Sequence, residues 1–168
     1  MIRILGRNII RFFVLILVQV LIMDNIDLGG YLNPYFYIIF ILLLPFETPR
    51  WLLLVLGFAL GLSIDLFSNT LGMHAAATVF LAFLRPWIMN IFAPRDGYEA
   101  DTFPRVFYYG LPWFAGYTAI LTFLHHLLLF YLEVFQFQDF FSTLLRVILS
   151  TILTTVIVVL SQFFIFRK

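Results

Sequence analysis

Cysteine is absent from the 168 residues, which excludes disulfides and thiolate metal sites but leaves the compartment open. Charge is scarce as well: 11% of the residues are charged, against about a quarter in ordinary soluble domains. The net charge of +1 leaves no basic patch of the kind nucleic acids require. Sequence signatures of chemistry are missing too. There is no HExxH or Cys/His set for zinc, no GxSxG nucleophile elbow and no phosphate-binding pattern. No internal repeat is visible. The expectation is a chain with no metal, no cofactor and no catalytic residues, not an enzyme.

What remains is apolar. Hydrophobic residues make up 63% of the chain, mean hydropathy is +1.04, and phenylalanine alone occurs 22 times. A soluble domain of this length leaves much of its surface wet and cannot hide so much apolar area. The solvent that fits is a bilayer, with Trp and Tyr available for its interfaces.

A membrane-crossing helix takes roughly 17–25 mostly apolar residues, and six such stretches are expected, at about 8–24, 32–48, 51–68, 72–92, 106–133 and 139–166. The second is short and bracketed by Pro34 and Pro45. The first has a basic start, MIRILGRNIIR, with no small-residue cleavage site after it, and reads as a retained anchor. The expected fold is all-α, a single integral membrane domain over 1–168.

Basic residues stay preferentially on the cytoplasmic side. With six spans and both termini inside, Arg3, Arg7, Arg11, Arg50, Arg85, Arg95, Arg105, Arg167 and Lys168 all fall there. The opposite connections hold Asp24, Asp27, Glu133 and Asp139 and no basic residue; Arg146 lies within the last span. The only sizeable loop, APRDGYEADTFPR at 93–105, is then cytoplasmic.

Polar residues inside the spans cost about 2.5–3.5 kcal/mol each when charged and central, so each needs a reason. Asp65 closes a run without charge, about 21 Å beyond Trp51 at 1.5 Å per residue, in the outer half of the membrane. Gly57, Gly61 and Asp65 recur every fourth residue and share a helix face, and the two glycines form a GxxxG pattern that admits a close neighbour. Asp65 is therefore expected to face protein. It is a buried tie between helices, a helix-end residue, or a ligand or proton site. On the last span Ser142, Arg146, Ser150 and Thr154 form a polar stripe, and Arg146 is a candidate ion-pair partner for Asp65 or a side chain that snorkels outward. Gln19, Asp65, His125, His126 and Arg146 thus gather toward the outer side. His125 and His126 are adjacent, about 100° apart on a helix, and a poor chelating pair.

Several stretches resemble the rod shape-determining protein MreD family: QVLIMDNI, YLNPYFYIIFILLLPF, and GFALGLSIDLFSNTLGMHAAA followed by LRPW. The likeness is to the branch typical of Bacteroidota, with HHLLLFYLEVF at 125–135. It spans nearly the whole chain and is sharpest at 19–87. Its most specific part is Gly61, Leu62 and Asp65 followed by Leu71 and Gly72. The common family version of the second span opens with Pro and an acidic residue; here Pro34 is followed by Tyr35, so that acidic group has no counterpart. The resemblance implies a non-catalytic scaffold or regulator of lateral peptidoglycan synthesis in the bacterial cytoplasmic membrane. Its implied partners are an MreC-like protein, RodA, a class B penicillin-binding protein and, indirectly, MreB. It also implies a fold similar to the six-helix substrate-binding components of energy-coupling factor transporters. That likeness supplies an alternative, a membrane component that binds a vitamin-type molecule. The first span, IIRFFVLILVQVLIM, lacks the small-residue AxxxA docking pattern usual there. Expected packing or partner residues are Gly57, Gly61, Asp65, Gly72, Arg146 and Ser150.

Overall fold

Apolar runs and the residues that stop them account for most of the architecture. The computed structural model describes residues 2–26, 29, 32–99, 102–135 and 139–165. Asp27, Arg167 and Lys168, and the side chains of Arg3 and Arg7, lie outside the described residues. No strand occurs among the described residues. The helices are α1 Ile2–Leu21, α2 Ile39–Leu42, α3 Arg50–Ser68, α4 Met73–Ile91, α5 Val106–Tyr109, α6 Leu111–Val134 and α7 Phe140–Ile165.

The ends of α1 and α3 have chemical reasons. Beyond α1, Asn25 turns back and its Nδ2 donates to the carbonyls of Val20 and Leu21 at 2.9 and 3.2 Å, acceptors that a helix C-terminus leaves without partners. α3 starts directly after Pro49 and stops at Asn69, whose φ of 54° is a left-handed cap. The expected fifth span is broken near its start: Gly110, at φ 82°, separates α5 from α6.

Helix α3 packs on α4, α4 on α6, α6 on α7, and α1 closes against α3. The α3–α4 contact is the tightest that glycine allows. A Cβ on Gly61 would stand 2.5 Å from Ala75 Cα and from the His74 carbonyl oxygen; one on Gly57 would stand 3.1 Å from Ala82 Cβ and the Thr78 oxygen. The GxxxG pair therefore seats α4 on α3.

The expected second span, 32–48, is not a continuous helix. Residues 32–35 are irregular, a 3-10 turn follows at Phe36–Ile38, and α2 adds only four residues before Pro45. Pro34 has no N–H to give a helix and biases Asn33 away from helical backbone. Hydropathy registers none of this. The residues from Tyr37 to Leu44 are almost wholly buried and run through the middle of the long helices. Irregular backbone at membrane depth is tolerated only where protein covers it.

Among the described residues, four helical stretches are long and apolar enough to cross a membrane: Asn8–Asn25, Arg50–Ser68, Leu111–Val134 and Phe140–Phe164. Their outward faces are apolar. Val55, Phe58, Leu62 and Leu66 on α3, and Leu145, Ile148, Ile152, Val156 and Leu160 on α7, are exposed at three- and four-residue spacing. α4, expected as a span at 72–92, is a helix made less apolar by His74, Arg85 and Asn90. Arg85, counted above with the loop charges, is instead inside α4 and 1% exposed. At the same end Phe46, Tyr98, Tyr109, Trp113 and Tyr117 form a run of ring contacts 4.1–5.5 Å apart. Burial pushes the Tyr98 hydroxyl up to about 12, so it stays protonated and donates to the Met89 carbonyl at 2.6 Å.

Candidate functional site

A segment without regular helix has backbone N–H and C=O groups that must find partners elsewhere. The intramembrane polar side chains supply them. Gln19 of α1 serves three groups at once. Its Nε2 donates to the Pro34 carbonyl at 3.0 Å and to Asp24 Oδ1 at 2.7 Å, and its Oε1 accepts the Tyr37 N–H at 3.2 Å. From α7, Ser150 Oγ accepts the Asn33 N–H at 3.0 Å and Thr154 Oγ1 accepts that of Tyr35 at 3.2 Å. Further along, Arg11 Nη2 donates to the Phe40 carbonyl at 3.3 Å, Tyr117 OH to that of Leu42 at 3.0 Å, and Arg85 Nη2 to that of Leu44. Arg85 Nε also donates to Tyr117 OH at 3.0 Å. Four helices thus reach into the middle to complete the backbone of one short segment.

The two histidines of α6 extend this arrangement. His126 Nδ1 lies 2.7 Å from the Thr122 carbonyl, which only accepts, so that nitrogen carries the proton. Its Nε2 then accepts from the Thr154 hydroxyl at 3.3 Å while Thr154 holds the Tyr35 amide. His125 Nε2 is 2.9 Å from the Tyr37 hydroxyl, which is also 3.3 Å from Thr78 Oγ1.

Asp65 does not meet Arg146. Its carboxylate turns to the start of α4. Oδ1 accepts the His74 N–H at 3.0 Å, the Thr70 hydroxyl at 2.5 Å and His74 Nδ1 at 3.1 Å; Oδ2 accepts the Ala75 N–H at 2.9 Å. The first amides of a helix lack internal partners and carry partial positive charge, so a carboxylate there is doubly suited. Asp65 is only 3% exposed, and these donors replace the water it lost. Gly72, at φ 82°, makes the turn that brings α4 round to it; no neighbour lies within 4 Å of its Cβ position, so it shapes a turn and packs against nothing. Arg146 instead pairs with Glu133 at 3.1 Å, lies 4.2 Å from the centre of the Phe130 ring, and donates to the Asn33 amide oxygen from Nη2 and Nε at 3.0 Å each.

Of the expected outer cluster, the structure joins Gln19 to His126 through the segment at 33–37, and ties His125 to the same segment at Tyr37. Arg146 reaches the same segment through the Asn33 side chain, and only Asp65 stands apart, on Thr70, His74 and Ala75. The aromatic ring of Tyr35 bridges the parts, with ring centroids 5.4, 6.2 and 5.3 Å from those of His74, His125 and His126. His74, Tyr35, Tyr37 and Arg85 were not singled out from sequence. Pro34 and Pro45 were the available signal for Tyr37 and Arg85, and the SNTLG turn after Asp65 was the signal for His74.

At this end a polar cavity of about 410 Å³ opens, lined by Asp24, Asn25, Asn33, Tyr35, Thr70, His74 and Glu133 together with several apolar residues. Among the described residues, no group of three or more His, Asp or Glu converges as metal ligands.

No family model matches the chain, and neither a curated protein nor a solved structure was found to match it.

Proposed function

We propose that this chain is a multi-pass protein of the bacterial cytoplasmic membrane, of the MreD type. It acts as a non-catalytic scaffold or regulator of the rod complex beside an MreC-like partner. Six crossings with both termini inside complete the topology, α4 and the central segment at 32–48 joining the four long apolar helices, and the Asp24 end faces outward. The observation that carries the reading is the use made of the intramembrane polar groups. Gln19, Arg85, Tyr117, Ser150 and Thr154 are engaged in holding one buried segment, and the surface left for neighbours is apolar and lateral. A groove of about 470 Å³ walled by Phe12, Phe13, Leu52, Leu56 and Ala59 opens sideways between α1 and α3. The resemblance at residues 19–87 supplies the family and the partners.

A second reading, the substrate-binding component of a small-molecule transporter, is favoured by the polar cavity at the Asp24 end. In-cell crosslinking followed by purification from the native membrane separates the two. Recovery of an MreC-like protein, RodA or a class B penicillin-binding protein is expected. Recovery of a transporter coupling subunit with its ATPases in their place would overturn the scaffold reading.

A further inference from the structure

We propose that the cavity at the Asp24 end receives an ammonium or guanidinium group. The wall contributes acceptors and an aromatic face, and no Lys or Arg among the described residues lines it.

His74 points the way. It is only 5% exposed, yet its ring lines the cavity. The Thr70 hydroxyl has one proton and gives it to Asp65 Oδ1 at 2.5 Å. The 3.0 Å contact between Thr70 Oγ1 and His74 Nδ1 must therefore use the imidazole proton. In the neutral ring this is the Nδ1–H tautomer, with Nε2 a lone-pair acceptor that has no partner among the described residues. Asp65, buried behind the ring, holds this orientation as carboxylates do for functional histidines.

The other walls agree. Asp24, at the rim, spends Oδ1 on Gln19 and keeps Oδ2 for a ligand. Glu133 is shared with Arg146, which balances its charge and leaves Asp24 as the cavity carboxylate without a basic partner among the described residues. The Tyr35 hydroxyl has no hydrogen-bond partner among the described residues, and its side chain is part of the cavity wall. An anion would meet two carboxylates and a lone pair. A metal ion would need ligands that converge, and they do not. A volume of about 410 Å³ is within the range of small-ligand pockets, roughly 300–1,000 Å³.

Two sources carry this chemistry: an Arg or Lys side chain presented by a partner's outer segment, or a free small amine. The proposal needs neither reading above to be right, and recovery or loss of an MreC-like partner does not bear on it. The test uses the full chain in lipid nanodiscs, titrated with argininamide, with butylamine and with an Ala-Arg-Ala peptide, and with neutral citrullinamide as the control. Saturable binding of the cationic probes, a shift of the His74 Nε2 nitrogen resonance on binding, and about tenfold or more weaker binding in Asp24→Asn are expected. Asn retains the oxygen that accepts from Gln19, so this variant keeps the local hydrogen bond. Tighter binding of the peptide than of the free amines assigns the site to a partner's side chain; the reverse order assigns it to a small amine. Absence of saturable binding by all three cations, equal binding of citrullinamide, or an unmoved His74 resonance would overturn the proposal.

Discussion

Replacing Asp65 by asparagine keeps one acceptor oxygen for the amides of His74 and Ala75 but sets an NH2 against another donor. Replacing it by leucine leaves both amides and the Thr70 hydroxyl without their acceptor, and His74 Nδ1 with Thr70 Oγ1 alone. The expected losses are about 1–2 kcal/mol for Asp65→Asn and about 3 kcal/mol or more for Asp65→Leu. Reversible unfolding in mixed micelles reads both, and equal stabilities would sink this account of the side chain. That Asp65 faces protein was legible from its spacing with Gly57 and Gly61. Its partner was not, because a buried carboxylate suggests a distant cation, and Arg146 was in view. The backbone amides nine and ten residues ahead are nearer, cost no second desolvated charge, and carry no signature in side-chain chemistry. Arg85 misled for the opposite reason: beside Pro86 and Trp87 it looks like a boundary charge, whereas carbonyls left open by a broken helix draw it inward.

The elements divide into those that hydropathy reveals and one that it does not. α1, α3, α6 and α7 follow from apolar length, and the seating of α4 on α3 follows from GxxxG. Gly61→Ala forces Cβ to about 2.5 Å from backbone atoms of α4, and Gly57→Ala only to 3.1 Å. The first is expected to lose about 2 kcal/mol or more and the second less than about 1, since an overlap at 2.5 Å drives the two helices apart whereas one at 3.1 Å is relieved by a shift of a few tenths of an ångström. Comparable losses in the two would show that the helices separate freely. The central segment escaped the sequence because its stability is non-local: the amides of Asn33 and Tyr35 are bonded to residues 117 and 119 positions away. In Ser150→Ala and Thr154→Val, amide hydrogen exchange is expected to rise at Asn33 and Tyr35 respectively, with α3 and α4 unchanged. Uniform acceleration over the whole chain would mean that the hydroxyls support the fold generally and not this segment.

For the whole molecule, the absence of cysteine gives a clean background for site-directed labelling. With the proposed topology, a cysteine at Asn69 reacts with a membrane-impermeant maleimide from outside, and one at Asp96 reacts only after the membrane is opened. Labelling of both from one side would exclude the six crossings. The asymmetry of charge, read from sequence as an orientation signal, survives the loss of Arg85 from the loop tally. Arg50, Arg95 and Arg105 remain at one end, and Asp24, Glu133 and Asp139 at the other.

The segment at 32–45 is finished by groups that do not yet exist when it is made. Ser150 and Thr154 follow it by well over a hundred residues, and at about 5–20 residues per second the ribosome takes roughly 6–25 s to reach them. Throughout that interval the amides of Asn33 and Tyr35 have no α7 to receive them, so the nascent chain must be sheltered by water, lipid headgroups or the insertion machinery. Completion of the segment therefore waits on α7. A chain released before α7 has entered the membrane carries two open backbone amides at its Asp24 end.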